Sequence, residues 1–91
     1  MLIELLTAVM TDGTLTIYQT DECAYHVQYE NKLAAGNGTE RFEVDGAVVV
    51  IRKGAGDKPE ELEVTSMGQV YITMVDDHTT GAICVPYWMG A

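Results

Sequence analysis

Two cysteines and two histidines, Cys23, His26, His78 and Cys84, are the residues of this 91-residue chain best suited to carry chemistry. Read as Cys-x-x-His followed far downstream by His-x5-Cys, they hold the donors of a Cys2His2 zinc site, and a structural metal would help so small a fold. The spacing argues against it. Zinc knuckles set their cysteines roughly two to four residues apart in tight turns, whereas His26 and Cys84 fall inside strand-like segments. A Cys23–Cys84 disulfide is a second reading, weakened by the lack of a secretion signal. The pattern favours a third, in which Cys84 is a small buried hydrophobe between Ile83 and Val85 and Cys23 stands in or beside a turn. No metal or cofactor is expected.

General acid–base chemistry has two starting points. His26 and Glu30 share strand parity and can meet on one face, where a carboxylate would raise the imidazole pKa. Asp76-Asp77-His78 offers the same pair of groups in one short segment. Strand residues alternate faces whether or not chemistry occurs there, and Asp-Asp-His-Thr-Thr-Gly reads more simply as a solvated turn with Asp as turn former. The chain has no Gly-x-Ser-x-Gly, no His-Glu-x-x-His and no Walker-type phosphate loop. Nothing in it specifies an enzyme, and no catalytic residue is assigned.

Three stretches suggest binding instead. The acidic residues Asp57, Glu60, Glu61 and Glu63, with Asp76 and Asp77, can form a row of carboxylates resembling a line of phosphates. Tyr25, His26, Tyr29 and Tyr71 place polar aromatic groups on otherwise apolar strands and can line a small-molecule pocket. Val85, Tyr87, Trp88 and Met89 concentrate interface-type residues at the chain end, either as a plug on the protein's own core or as a contact with another chain.

Charge supports the first of these. The net charge is −9, distributed as −5 over residues 1–31, +1 over 32–58 and −5 over 59–91, with all five basic residues in the middle segment. Such a chain repels phosphate backbones and anionic lipid, so direct nucleic-acid and membrane binding are disfavoured and a basic protein surface is the natural partner. No apolar run approaches the roughly 20 residues of a membrane-spanning helix. The N-terminal apolar stretch lacks a basic n-region, so the expected location is cytoplasmic.

The elements that must position these residues are strands. Glu40 to Lys53 carries the densest β-branched run around Asp45-Gly46, a pair suited to a type I′ hairpin turn. That turn sets Val44 against Ala47, Phe42 against Val49, Glu40 against Ile51, Glu43 against Val48 and Arg41 against Val50. The second half of this stretch, apolar on both parities, is expected to be covered on both sides. Asp12-Gly13 suggests a second hairpin, with Met10 opposite Leu15 and Ala8 opposite Ile17. Its competitor is a helix over residues 2–11, because Leu2, Leu5, Leu6 and Val9 follow helical spacing. Ala24 to Glu30, Leu62 to Ser66, Gln69 to Val75 and Ala82 to Trp88 alternate as strands, and Pro86 marks the last as a sheet edge.

The expected fold is a single all-β domain over residues 1–91. Its form is a small antiparallel meander of about seven or eight strands closing into a barrel or sandwich, with an α+β fold as the alternative if residues 2–11 are helical. The expected function is a non-catalytic acidic module that binds a basic protein, as an inhibitor or decoy of a nucleic-acid-binding protein. The alternative is a small-molecule-binding barrel or small enzyme with a Tyr/His-lined pocket. The uncharged final strand suggests a homodimer through that edge.

Overall fold

Asp45 and Gly46 both adopt the left-handed conformation, with φ of 48° and 88°, and join two strands in the register that their chemistry dictates. Val44 pairs with Ala47, Phe42 with Val49 and Glu40 with Ile51. Around this hairpin the computed structural model describes residues 1–32, 38–53 and 59–87. In chain order the strands are β1 (Ile3–Met10), β2 (Gly13–Gln19), β3 (Cys23–Asn31), β4 (Gly38–Val44), β5 (Ala47–Lys53), β6 (Glu60–Ser66), β7 (Gln69–Val75) and β8 (Thr80–Pro86). The fold is all-β, with two four-stranded antiparallel sheets ordered β1-β2-β3-β8 and β4-β5-β6-β7 that do not close into a barrel.

The meander holds within each run of consecutive strands and fails at β8. After β7 the chain leaves the second sheet and returns to the first, where β8 pairs with β3 rather than with β7. β8 is an edge strand, as Pro86 suggests, and β4 is an edge as well, so the Asp45-Gly46 hairpin is not central to its sheet.

The helical alternative for residues 2–11 is overturned. Those residues form β1, and the Leu5-Leu6 doublet that mimicked helical spacing is accounted for by a register shift between Glu4 and Leu6. A bulge of this kind lets two successive residues turn to the same side. Both leucines pack against the core, whereas Leu2 and Val9, the other members of the helical stripe, are exposed.

The Asp12-Gly13 turn is also displaced. Met10 pairs with Gly13 and Ala8 with Leu15, so the turn residues are Thr11 and Asp12, and Gly13 begins β2. A one-residue displacement of a hairpin turn changes each partner by two positions and keeps parity. The face shared by Leu6, Ala8, Met10, Leu15 and Ile17 is the same in either register, and it meets the core.

One core lies between the sheets. Leu15, Ile17, Val27, Tyr29, Ile83 and Val85 come from the first sheet, and Val49, Ile51, Leu62, Val64 and Val75 from the second. Each follows the two-residue period of its strand. On the outer face of β5, Val50 is only 8% exposed, and long flanking side chains cover it in place of a third layer. Arg41 and Glu63 are its cross-strand neighbours, and Arg52 reaches Glu61 at 2.7 Å and Glu63 at 2.9 Å. On β7 the outward residues Val70, Ile72 and Met74 remain exposed, and the inward Val75 is buried.

Candidate functional site: a tyrosine-lined cleft opposite a buried ionic cluster

Antiparallel pairing divides the molecule into two ends. At one end lie the β1–β2 turn, the end of β3, the end of β5 and the start of β6. At the other lie the start of β3, the end of β8 and the tight turns at Asp45-Gly46 and Met67-Gly68.

The first end is closed by polar residues. Asp12, Tyr29, Asn31 and Glu60 are all at most 2% exposed. The Tyr29 hydroxyl donates to Glu60 Oε2 at 2.8 Å, and Lys53 Nζ reaches Asp12 Oδ2 at 2.8 Å and Glu40 Oε1 at 3.8 Å. The Asn31 side-chain amide donates to the Val75 carbonyl at 3.4 Å, and the Lys32 amide donates to the Asp12 carbonyl at 3.0 Å. Gly13 makes this packing possible, because a Cβ at that position would collide with the Tyr29 ring and the Glu30 carbonyl. Burial raises the Glu60 pKa; Tyr29's hydrogen bond lowers it, and the neighbouring Asp12 charge raises it further. Burial, then the hydrogen bond to Glu60, push the Tyr29 phenol well above its ordinary range. The hydrogen bond to Asp12 raises the Lys53 ammonium. Lys53 thus pairs with the buried Asp12 and, more distantly, with the exposed Glu40, an arrangement that ties β5 to the β1–β2 turn and to β4.

The second end is open. A cleft of about 470 Å³ is lined by Tyr25, Tyr71 and Tyr87, with Met67, Gln69 and Asp45 among the other wall residues. Two of the tyrosines are anchored by their hydroxyls: Tyr25 donates to the Asp45 carbonyl at 2.8 Å and Tyr87 to the Thr20 carbonyl at 2.7 Å. Burial, and then the Asp45 charge, raise the Tyr25 phenol. The Tyr71 hydroxyl has no hydrogen-bond partner among the described residues. Met67 adopts φ 52° in a two-residue turn with Gly68 at 76°, and its side chain is 68% exposed. A left-handed methionine costs on the order of 1 kcal/mol relative to Gly or Asn, and here its side chain forms part of the cleft wall rather than the core.

The pocket residues expected from sequence divide between these regions. Tyr25 and Tyr71 line the cleft, and Tyr29 lies in the closed cluster. His26 has the opposite parity and stacks on Tyr18, with ring centroids 4.6 Å apart. Glu30 is on the same outer side but sits 3.8 Å from Lys32.

The acidic row is likewise divided. Glu60 is buried, Glu61 and Glu63 pair with Arg52, Asp76 and Asp77 are exposed, and Asp57 lies outside the described residues. His78 is in an exposed turn with φ 60°, 3.6 Å from Asp77, where Thr79 bonds back to the Asp76 carbonyl. Of the tail residues, Val85 points into the core and Tyr87 into the cleft, and Trp88 and Met89 lie outside the described residues.

The cysteine assignment is corrected. Cys23 and Cys84 form a disulfide across β3 and β8, with Cα atoms 5.4 Å apart, and Cys84 is exposed on the face opposite Ile83 and Val85. Both thiols are thereby removed from any zinc constellation. The signal missed in the sequence was topological: pairing β8 with β3 sets His26 against Cys84 and Cys23 against Pro86, which brings the two sulfurs to neighbouring positions.

No helix among the described residues is long and apolar enough to cross a membrane. No protein-family model, curated protein or solved structure matches the chain.

Proposed function

We propose that this chain is a non-catalytic binding module whose recognition site is the cleft framed by Tyr25, Tyr71, Tyr87 and Met67. The observation that carries this reading is the strained, exposed Met67 at the lip of a preformed aromatic cleft. Its side chain gains nothing from the core there, yet it occupies a backbone conformation better suited to Asn or Gly. Clefts of several hundred Å³ with mostly apolar walls and a few polar groups are the usual form of a ligand site. The two anchored tyrosines supply rigid walls at little entropic cost on binding.

The acidic character expected from the sequence fits the same end. Asp45 stands on the cleft wall, and among the described residues no basic side chain lines it. A basic protein partner therefore remains the favoured class, with the cleft as its point of engagement. A homodimer through β8 is the less favoured assembly, because Val85 is spent in the protein's own core.

The disulfide favours an oxidising compartment over the cytoplasm. Mass measurement of alkylated protein isolated from its source tests that placement: unmodified, bonded cysteines support it, and two alkylated thiols oppose it. The binding reading is tested by screening cationic and neutral peptides against wild type and Tyr71→Ala by thermal shift. Stabilisation lost in the variant is expected, and an equal response in both proteins would contradict the reading.

A further inference from the structure

The chemistry of the cleft narrows its occupant, an inference that rests on the binding reading above. Among the described residues Asp45 is the one charged side chain on the wall, and its carboxylate has no hydrogen-bond or ion-pair partner among them. The other polar wall groups include the Tyr71 hydroxyl, the Ser66 hydroxyl and the Gln69 amide, whose oxygens can all accept a hydrogen bond. Every basic side chain among the described residues is committed elsewhere: Lys32 to Glu30, Arg41 to Glu43, Arg52 to Glu61 and Glu63, and Lys53 to Asp12. The described residues thus offer no cation to this carboxylate, while the net charge of −9 attracts cations from solution. Aromatic walls stabilise a cation through their ring quadrupoles and cover the apolar stem that carries it.

We infer that the cleft receives one arginine or lysine side chain of a basic polypeptide partner, with the cationic head at Asp45 and the aliphatic stem between the tyrosines and Met67. Among sources of such a cation, a polypeptide is favoured by the open position of the cleft between two hairpin turns. A chain passing over the end of the sheets can place one side chain inward and keep its backbone outside. Long-range attraction raises the association rate of such a segment, and the cleft decides which residue is read.

The test is a titration of the ¹⁵N-labelled full chain, followed by amide chemical shifts. The probes are capped pentapeptides with a central Arg, Lys, citrulline or norleucine between glycines, and butylguanidinium as a free organic cation. The expected result is movement of the Ala24, Gly46, Met67 and Tyr71 amides by the Arg and Lys peptides, with at least about fivefold tighter binding than citrulline. Asp45→Asn, which keeps a residue that tolerates the left-handed turn, should abolish that preference.

Equal binding of Arg and citrulline peptides at these amides would overturn the cationic assignment and leave the cleft reading standing. Butylguanidinium binding as tightly as the Arg peptide would overturn the choice of a polypeptide. The absence of cleft shifts with every probe would overturn the inference together with the reading beneath it.

Discussion

The two ends of this molecule use the same side chain for opposite purposes. Tyr25 and Tyr29 lie four residues apart on the inward face of β3, one at each end of the core. Tyr29 is fully buried, and its hydroxyl serves a buried carboxylate that neighbours an Asp–Lys pair. Tyr25 is half-buried, and its hydroxyl is tied to a turn carbonyl so that the side chain forms a wall of an open space. The difference lies in what the neighbouring strands bring. At one end Gly13 lets the chains close over the ring, and at the other two tight turns stand apart and leave room. Polar residues are thus no guide to function until their surroundings are known: the richer set of titratable groups is the structural one.

Breaking the closed end should have the largest effect. Asp12→Ala leaves the Lys53 ammonium, 16% exposed, without its principal partner beside Glu60. A loss of about 3–4 kcal/mol is expected in urea unfolding, close to the cost of orphaning one partner of a buried pair. If the ends act independently, peptide binding at the cleft is unchanged under native conditions.

The disulfide comes next. Cys23 and Cys84 are 61 residues apart, and the double Cys→Ser variant should lose about 2–4 kcal/mol because the unfolded chain regains its freedom. The bond also pins β8 to β3 beside Val85 and Pro86, so cleft binding should weaken along with stability, in contrast to Asp12→Ala. A double variant as stable as wild type would remove the disulfide from this account.

The register of the Asp45-Gly46 hairpin was legible because both turn residues have a chemical reason to take positive φ. The same dipeptide at Asp12-Gly13 misled for an instructive reason. There the glycine is required by a ring arriving from β3, a tertiary demand that no local pattern reveals. The strands themselves were readable from alternation, including which residues of β3 share a face. The partnership of β3 with β8 was not, since strand pairing distant in sequence leaves no local mark, and with it went the disulfide. The buried cluster draws Asp12, Tyr29, Lys53 and Glu60 from four segments, each with an ordinary explanation as turn former, core aromatic or solvated charge. The cleft was half visible, through Tyr25 and Tyr71; Met67 carried no signal beyond its place before Gly68.

A smaller effect at the closed end depends on pH. The folded state raises the Glu60 pKa, so the contribution of this group to stability is greatest below its ordinary value of 4.5 and is lost as pH rises through the folded value. Glu60→Gln keeps an acceptor for Tyr29 and removes the charge. The variant should melt a few degrees above wild type near pH 7, and the gap should shrink as pH falls through the raised folded value towards 4.5. A constant gap across that range would mean that Glu60 does not titrate differently on folding. On the alkaline side, the raised Tyr29 and Lys53 values favour the folded state below pH 10, and that support declines as pH climbs through their folded values.

The smallest expected change in stability comes at Met67, and it tests most directly the division between an end that stabilises and an end that binds. Met67→Asn places a residue suited to φ 52° in the turn and removes the exposed side chain from the cleft. Urea unfolding and titration with the arginine pentapeptide, performed on the same sample, give both quantities. The account predicts a gain of about 0.5–1 kcal/mol in stability together with at least threefold weaker binding. A variant that gains stability and binds the peptide as tightly as wild type would contradict it.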